Sequence, residues 1–179
     1  MNKEAIINAV TQWVETVVIN LNLCPFAKKV YVHQGVRFSV SDAQNEEDLL
    51  VHLHDELKRI EQDDSIKTTL LIHPLVLEDF IVFNQFLENA DDLLDEMNLT
   101  GVFQIASFHP NYQFADTKVD VENYTNRSPY PMLHIINEED LEIAIATHPE
   151  VDAIPLRNKQ LMRELGPDKM KALLKACLG

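Results

Sequence analysis

Glycine is scarce in this chain: Gly35, Gly101, Gly166 and Gly179 are the only four among 179 residues. Phosphate loops need closely spaced glycines so that backbone N–H groups can approach the anion, and neither GxGxxG nor GxxxxGK occurs. The common P-loop motors and nicotinamide dehydrogenases are thereby excluded. Cysteine is as sparse, with Cys24 and Cys177 near opposite ends. A disulfide framework needs more and closer partners, so a reducing cytoplasm is the expected compartment. No apolar run approaches the ~18 residues of a membrane span, and the opening Met-Asn-Lys-Glu-Ala-Ile lacks a signal peptide's apolar core. Positive charge is short too: 15 Lys and Arg face 29 Asp and Glu, a formal −14. That balance repels phosphate backbones and anionic lipid heads, so no nucleic-acid partner and no membrane partner is expected.

What is present is ordinary globular material, 46% hydrophobic and 25% charged, and one domain over residues 1–179 is expected. Ile6, Val10, Trp13, Val17 and Leu21 recur at helical spacing, which predicts a helix over 3–21. Alternation predicts a strand over 36–40. Asn45 with three following acids predicts a capped helix to 62. An apolar strand over 68–72, a helix over 77–97, a strand over 102–108, a strand over 132–136 and a helix over 137–147 follow. Gly166-Pro167 divides the tail into two helices. Alternating strands and helices predict an α/β fold: a four-stranded mixed sheet with the first three strands parallel and the fourth antiparallel, packed with helices. An α+β arrangement is the alternative.

His73-Pro74 and His109-Pro110 each end a strand, because proline holds its predecessor extended and then leaves the ladder. If strands two and three are parallel, both histidines reach the carboxyl edge of the sheet, where open α/β sheets bind ligands. His148-Pro149 repeats the dipeptide. The stretch from His109 to Tyr130 has no period, and so long a loop in a compact domain is functional or disordered. Tyr112, Phe114, Tyr124 and Tyr130 can anchor it. Its Asn126, Arg127 and Ser128 suit two-point contact with a carboxylate or phosphate, with Tyr112, Gln113 and Tyr124 alongside. The other reading makes Arg127 a staple between the loop and a carboxylate of the chain itself. Cys24-Pro25 reads as a helix N-cap followed by proline, which with Lys28 and Lys29 favours thiolate; an inert buried thiol is the alternative. His134 shares a strand face with Met132 and Ile136, as a core histidine or a ligand. The acids of the basic-free stretch between Lys67 and Lys118, among them Glu88, Asp91, Asp92 and Asp116, read as a solvated helix face.

Three segments together, Asn22-Leu-Cys-Pro-Phe-Ala, Ser107-Phe-His-Pro-Asn-Tyr-Gln-Phe and Tyr124-Thr-Asn-Arg-Ser-Pro-Tyr-Pro-Met-Leu-His134, resemble a bacterial family of unknown function, numbered 1415. The resemblance implies a bacterial cytosolic protein and carries no reaction and no catalytic residues. From the residues, three functions compete. One is an enzyme for a small anionic molecule, with Cys24 as nucleophile, His109 as its acid/base partner and Arg127 as clamp. A second is a metal site drawn from Cys24, His109, His73 and His134. A third is a binding module whose long loop docks a ligand. No cofactor is specified.

Overall fold

The computed structural model describes residues 1–115, 117–148 and 150–179. Asp116 of the acidic stretch and Pro149 of the third His-Pro pair lie outside the described residues. Four strands form one mixed sheet: β1 Val36–Val40, β2 Thr68–Ile72, β3 Phe103–Phe108 and β4 Met132–Asn137, in the order β1-β2-β4-β3. β1 and β2 are parallel, with Val36 opposite Thr68. β4 is antiparallel to both neighbours, so that His134 stands opposite Leu70 on one side and Ala106 on the other.

The expected ladder of three adjacent parallel strands is therefore not formed. β4 takes the place beside β2, and β3 runs in β2's direction one strand further out. Burial accounts for the exchange. Met132, Leu133 and Ile135 of β4 are all fully buried and need cover on both faces. β3 carries Gln104 and Ser107 and buries only Phe103 fully, a composition suited to an edge.

Strand alternation sends successive side chains into two different layers. Leu71, Leu133 and Ile135 pack under α3 (Glu46–Gln62) and α4 (Phe80–Glu96), against Leu49, Leu53, Leu57, Phe83 and Phe86. Leu70, Ile72 and Met132 pack on the other face under α1 (Lys3–Trp13) and α6 (Ile154–Cys177), against Val10, Trp13, Val17, Met162 and Met170. Each fully buried Leu, Ile, Phe or Met contributes about 1.5–3 kcal/mol, so these two layers carry most of the stability.

Local chemistry sets the helix ends. Asn2 and Asn45 cap α1 and α3 by accepting from the Ala5 and Asp48 amides. α4 starts at Phe80 rather than at 77, because Leu77 has φ 61 and Asp79 accepts from the Ile81 and Val82 amides. Gly166, with φ 76, breaks α6 into the two expected pieces. α2 (Ala27–Val32) and α5 (Glu138–Ala146) complete the set. β1 is pinned to α3 by Arg37, whose Nε and Nη2 donate to Glu56 at 2.6 and 2.9 Å. Among the described residues no helix is long and apolar enough to cross a membrane.

Candidate functional site

Both His-Pro histidines do stand at the carboxyl edge, but they turn away from Cys24. Ile105, Ser107 and His109 share the parity that faces α4, whereas Phe108 faces α1 and meets Trp13 edge to face at 5.1 Å. His109 is wholly buried between Phe80 and Phe83, with ring centroids at 5.4 and 5.1 Å. Its Nε2–H donates to the Leu77 carbonyl at 3.1 Å, and its Nδ1 accepts from the Asn111 amide at 3.0 Å. Both nitrogens are thus taken by backbone, and burial pushes its pKa down. His73 is equally buried against Phe83, and its Nδ1–H donates to the Val76 carbonyl at 3.0 Å. Its Nε2 has no partner among the described residues. Burial brings His73 to about 4, although the bond to Val76 resists the shift.

The expected Cys24–His109 pair is therefore corrected: one lies in the α1/α6 layer and the other in the α4 layer. The Cys/His metal set divides the same way. His134 faces α1 and α6, with its Nε2–H donating to Thr68 Oγ1 at 2.7 Å. No group of three His, Cys, Asp or Glu placed to hold a metal ion occurs among the described residues.

Arg127 acts as the staple. Its Nη1 and Nη2 donate to Asp120 at 3.1 and 2.7 Å, and its Nε donates to the Tyr112 carbonyl at 3.2 Å. The guanidinium lies 4.7 Å above the ring of buried Tyr124. Its fork is filled by the chain's own carboxylate, so it is not open to a ligand as the clamp reading requires. Ser128 is buried and donates to the Tyr130 carbonyl at 2.7 Å. Tyr112 packs at a tilt against Phe80 and edge to face with Phe114, and Gln113 is exposed. Trp13 Nε1–H donates to the Arg127 carbonyl at 3.1 Å, fastening the loop to α1.

Asn126 alone of the expected clamp meets Cys24. Both line a cleft of about 560 Å³ between the Cys24 loop, the long loop and the start of α6. Val18, Leu23, Phe108, Phe114 and Ile154 form its apolar wall; Thr125, Asn126, Asn158 and Lys159 supply polar groups. The Cys24 loop has an unusual approach. Beyond Trp13 the first helix continues as a π-helix over Val14–Ile19, and Leu23 N donates to Val18 O five residues back at 2.9 Å. Asn22 then takes φ 53. Widened helical turns and left-handed non-glycine residues cluster at functional sites.

Polar ties hold the cleft open. Asn158 Nδ2 donates to the Leu23 carbonyl at 2.7 Å, and Arg157 donates to the Asn22 carbonyl. Across the cleft, buried Glu122 accepts from Arg163 Nε at 2.6 Å and lies 4.0 Å from Lys159 Nζ. Cys24 itself is half-buried. It is not a helix cap: α2 begins at Ala27, with Phe26 at the cap position, so the dipole argument for a thiolate does not apply. Asn158, Lys159 and Glu122 were not among the expected residues. Asn158 had a signal, because it occupies the same helical stripe as Ile154 and Met162; Glu122, inside an aperiodic loop, had none.

The model of a family described as "Protein of unknown function (DUF1415)" matches residues 5–172. No curated protein matches the chain, and no solved structure does.

Proposed function

The chain belongs to the DUF1415 family, whose description supplies no reaction, and we propose from the cleft itself that the protein binds a small amphipathic anion there. The supporting observation is the convergence of Cys24, Thr125, Asn126 and Lys159 on one apolar-walled cleft of about 560 Å³. Such a volume suits a small molecule, oriented by a few polar groups on an apolar wall. Lys159 replaces Arg127 as the cation for a carboxylate or phosphate. Its side chain is 44% exposed, and among the described residues its ammonium has one ion pair, a long contact with Glu122, which Arg163 already neutralises. The setting of this activity is the bacterial cytoplasm.

A second reading, an enzyme with Cys24 as its nucleophile, is favoured by the thiol's partial opening to the cleft. Its proton acceptor would come from the ligand or solvent, since the described lining residues include no histidine and no carboxylate.

Alkylation tests both readings. Iodoacetate and iodoacetamide differ mainly in charge, and buried Cys177, bonded to the Leu173 carbonyl, is the silent internal control. Cys24 should react faster than Cys177, with a bias toward iodoacetate relative to a free small thiol. Lys159 and Cys24 line the same cleft, and for opposite unit charges ~7 Å apart at an effective dielectric of about 40–80 the attraction is roughly 0.6–1.2 kcal/mol. Lys159→Met should therefore lower the iodoacetate preference about threefold to sevenfold. An unchanged preference removes the anion site; an unreactive Cys24 removes the thiol chemistry.

A further inference from the structure

A second hollow lies on the other side of the sheet, where the segment from His73 to Asp79 meets the first turns of α3 and α4. It measures about 570 Å³, with Val76, Leu77, Glu78 and Val82 on one side and Glu46 and Glu47 on the other. Its surroundings are unexpectedly apolar. Val82, 42% exposed, lines the hollow, and Leu75 (45% exposed) and Ile81 (68%) are chain neighbours of its lining residues Val76 and Val82. Clustered exposed side chains of this size mark contact surfaces.

The segment presenting them is rigidly held. Leu77 takes φ 61, a conformation that a bulky residue keeps only where its surroundings over-determine it. Here buried His73 and His109 donate to the carbonyls of Val76 and Leu77, and the Leu77 side chain itself is buried. A preformed surface of this kind spends little ordering entropy on binding.

Charge identifies the occupant. Glu46, Glu47 and Glu78 form no ion pair among the described residues. No Lys or Arg occurs between Lys67 and Lys118, and the first basic residue of α3 is Lys58, about 18 Å along the helix from Glu46. Acids in a first helical turn serve the helix dipole, which accounts for Glu46 and Glu47 but not for the bare apolar side chains beside them. A second copy of this chain is a poor match. Each copy carries a formal −14, so two copies repel one another overall.

We infer that this groove docks a short basic amphipathic segment of another protein, its apolar side chains on Leu75, Ile81 and Val82 and its Lys or Arg groups on Glu46, Glu47 and Glu78. Opposite charge steers and orients such a segment, while apolar burial holds it.

The test uses the full chain and a fluorescent amphipathic peptide of Leu and Lys, with a Leu/Glu counterpart, read by anisotropy. The Leu/Lys peptide should bind and the Leu/Glu peptide should not. Ile81→Ser should weaken binding about tenfold. Glu47→Gln with Glu78→Gln should weaken it severalfold and flatten its salt dependence. Glu88→Gln with Asp92→Gln, exposed and about 10 and 17 Å along α4 from Ile81, should leave it unchanged. Equal loss in this last pair would show general attraction to an acidic protein and overturn the site. So would indifference to Ile81→Ser. Self-association of the chain that Ile81→Ser abolishes would assign the surface to a second copy instead.

Discussion

Acidification should destabilise this fold before its carboxylates begin to protonate, because histidines are folded away in neutral form. Burial brings His73 and His134 each from 6.5 to about 4, and pushes His109 down as well. Below pH 6.5 the unfolded chain takes up protons that the folded chain refuses. Stability is therefore fully present above 6.5 and is lost progressively as the pH falls toward 4. A shift of roughly 2.5 units corresponds to about 3 kcal/mol per histidine, hence about 6 kcal/mol for the pair. Domains commonly have only about 5–15 kcal/mol in total, so urea midpoints should fall steeply between pH 6.5 and 4.5. Glu56 titrates lower than this window. Burial raises its pKa, but bonds from Arg37 and Ser39 outweigh that and hold it below the usual range. His73→Asn keeps a donor for the Val76 carbonyl and should remove about half of the pH-dependent loss. A midpoint that is flat from pH 7 to 5 would refute the reasoning. So would a slope that neither His73→Asn nor His134→Asn reduces.

Glu56→Ala leaves Arg37 without its carboxylate beneath a two-thirds-covered surface, and should cost about 2–3 kcal/mol in chemical denaturation. Replacing both partners with apolar residues should recover most of that loss. Trp13→Phe keeps a ring against Phe108 but removes the bond to the Arg127 carbonyl, a loss of about 1 kcal/mol. Asp120→Asn breaks a largely exposed pair and should lower stability by less than about 1 kcal/mol. It should nevertheless speed proteolysis within residues 110–119, since it unfastens the loop; an unchanged cleavage rate would mean that Arg127 is not the staple. Calorimetry should show one transition over the whole chain, and two separately melting units would contradict the single-domain reading.

Local pattern carried most of the element assignments, and it failed where local signals were mixed. The stripe Ile6, Val10, Trp13, Val17 marked the first helix, yet nothing in it marked the shift to π geometry at Val14. That shift is set by how the turn packs and where Leu23 returns. Cys24-Pro25 reads as a cap and its helix starts three residues later, because an N-cap signal is a pair of residue types and not a geometry. His73 and His109 were correctly placed at the strand ends. Strand parity carries the direction of His109 as well: a histidine one residue beyond Phe108 faces the opposite layer.

The sequence by itself determined what depends on neighbours within a few residues. It set which segments are helix or strand, where Gly166 breaks the last helix, and the surplus of 29 acids over 15 bases. Tertiary structure alone decided which of these met. β4 lies between β2 and β3 because its two faces both needed burial, a demand that can be satisfied only against the other strands and layers. Asp120 fills the fork of Arg127, and Glu122 draws on Lys159 and Arg163, residues about 40 positions away. Such pairings depend on loop closure and layer packing, and no periodicity records them. The cleft at Cys24 exists for the same reason: its walls come from three stretches of chain that only the completed fold brings together.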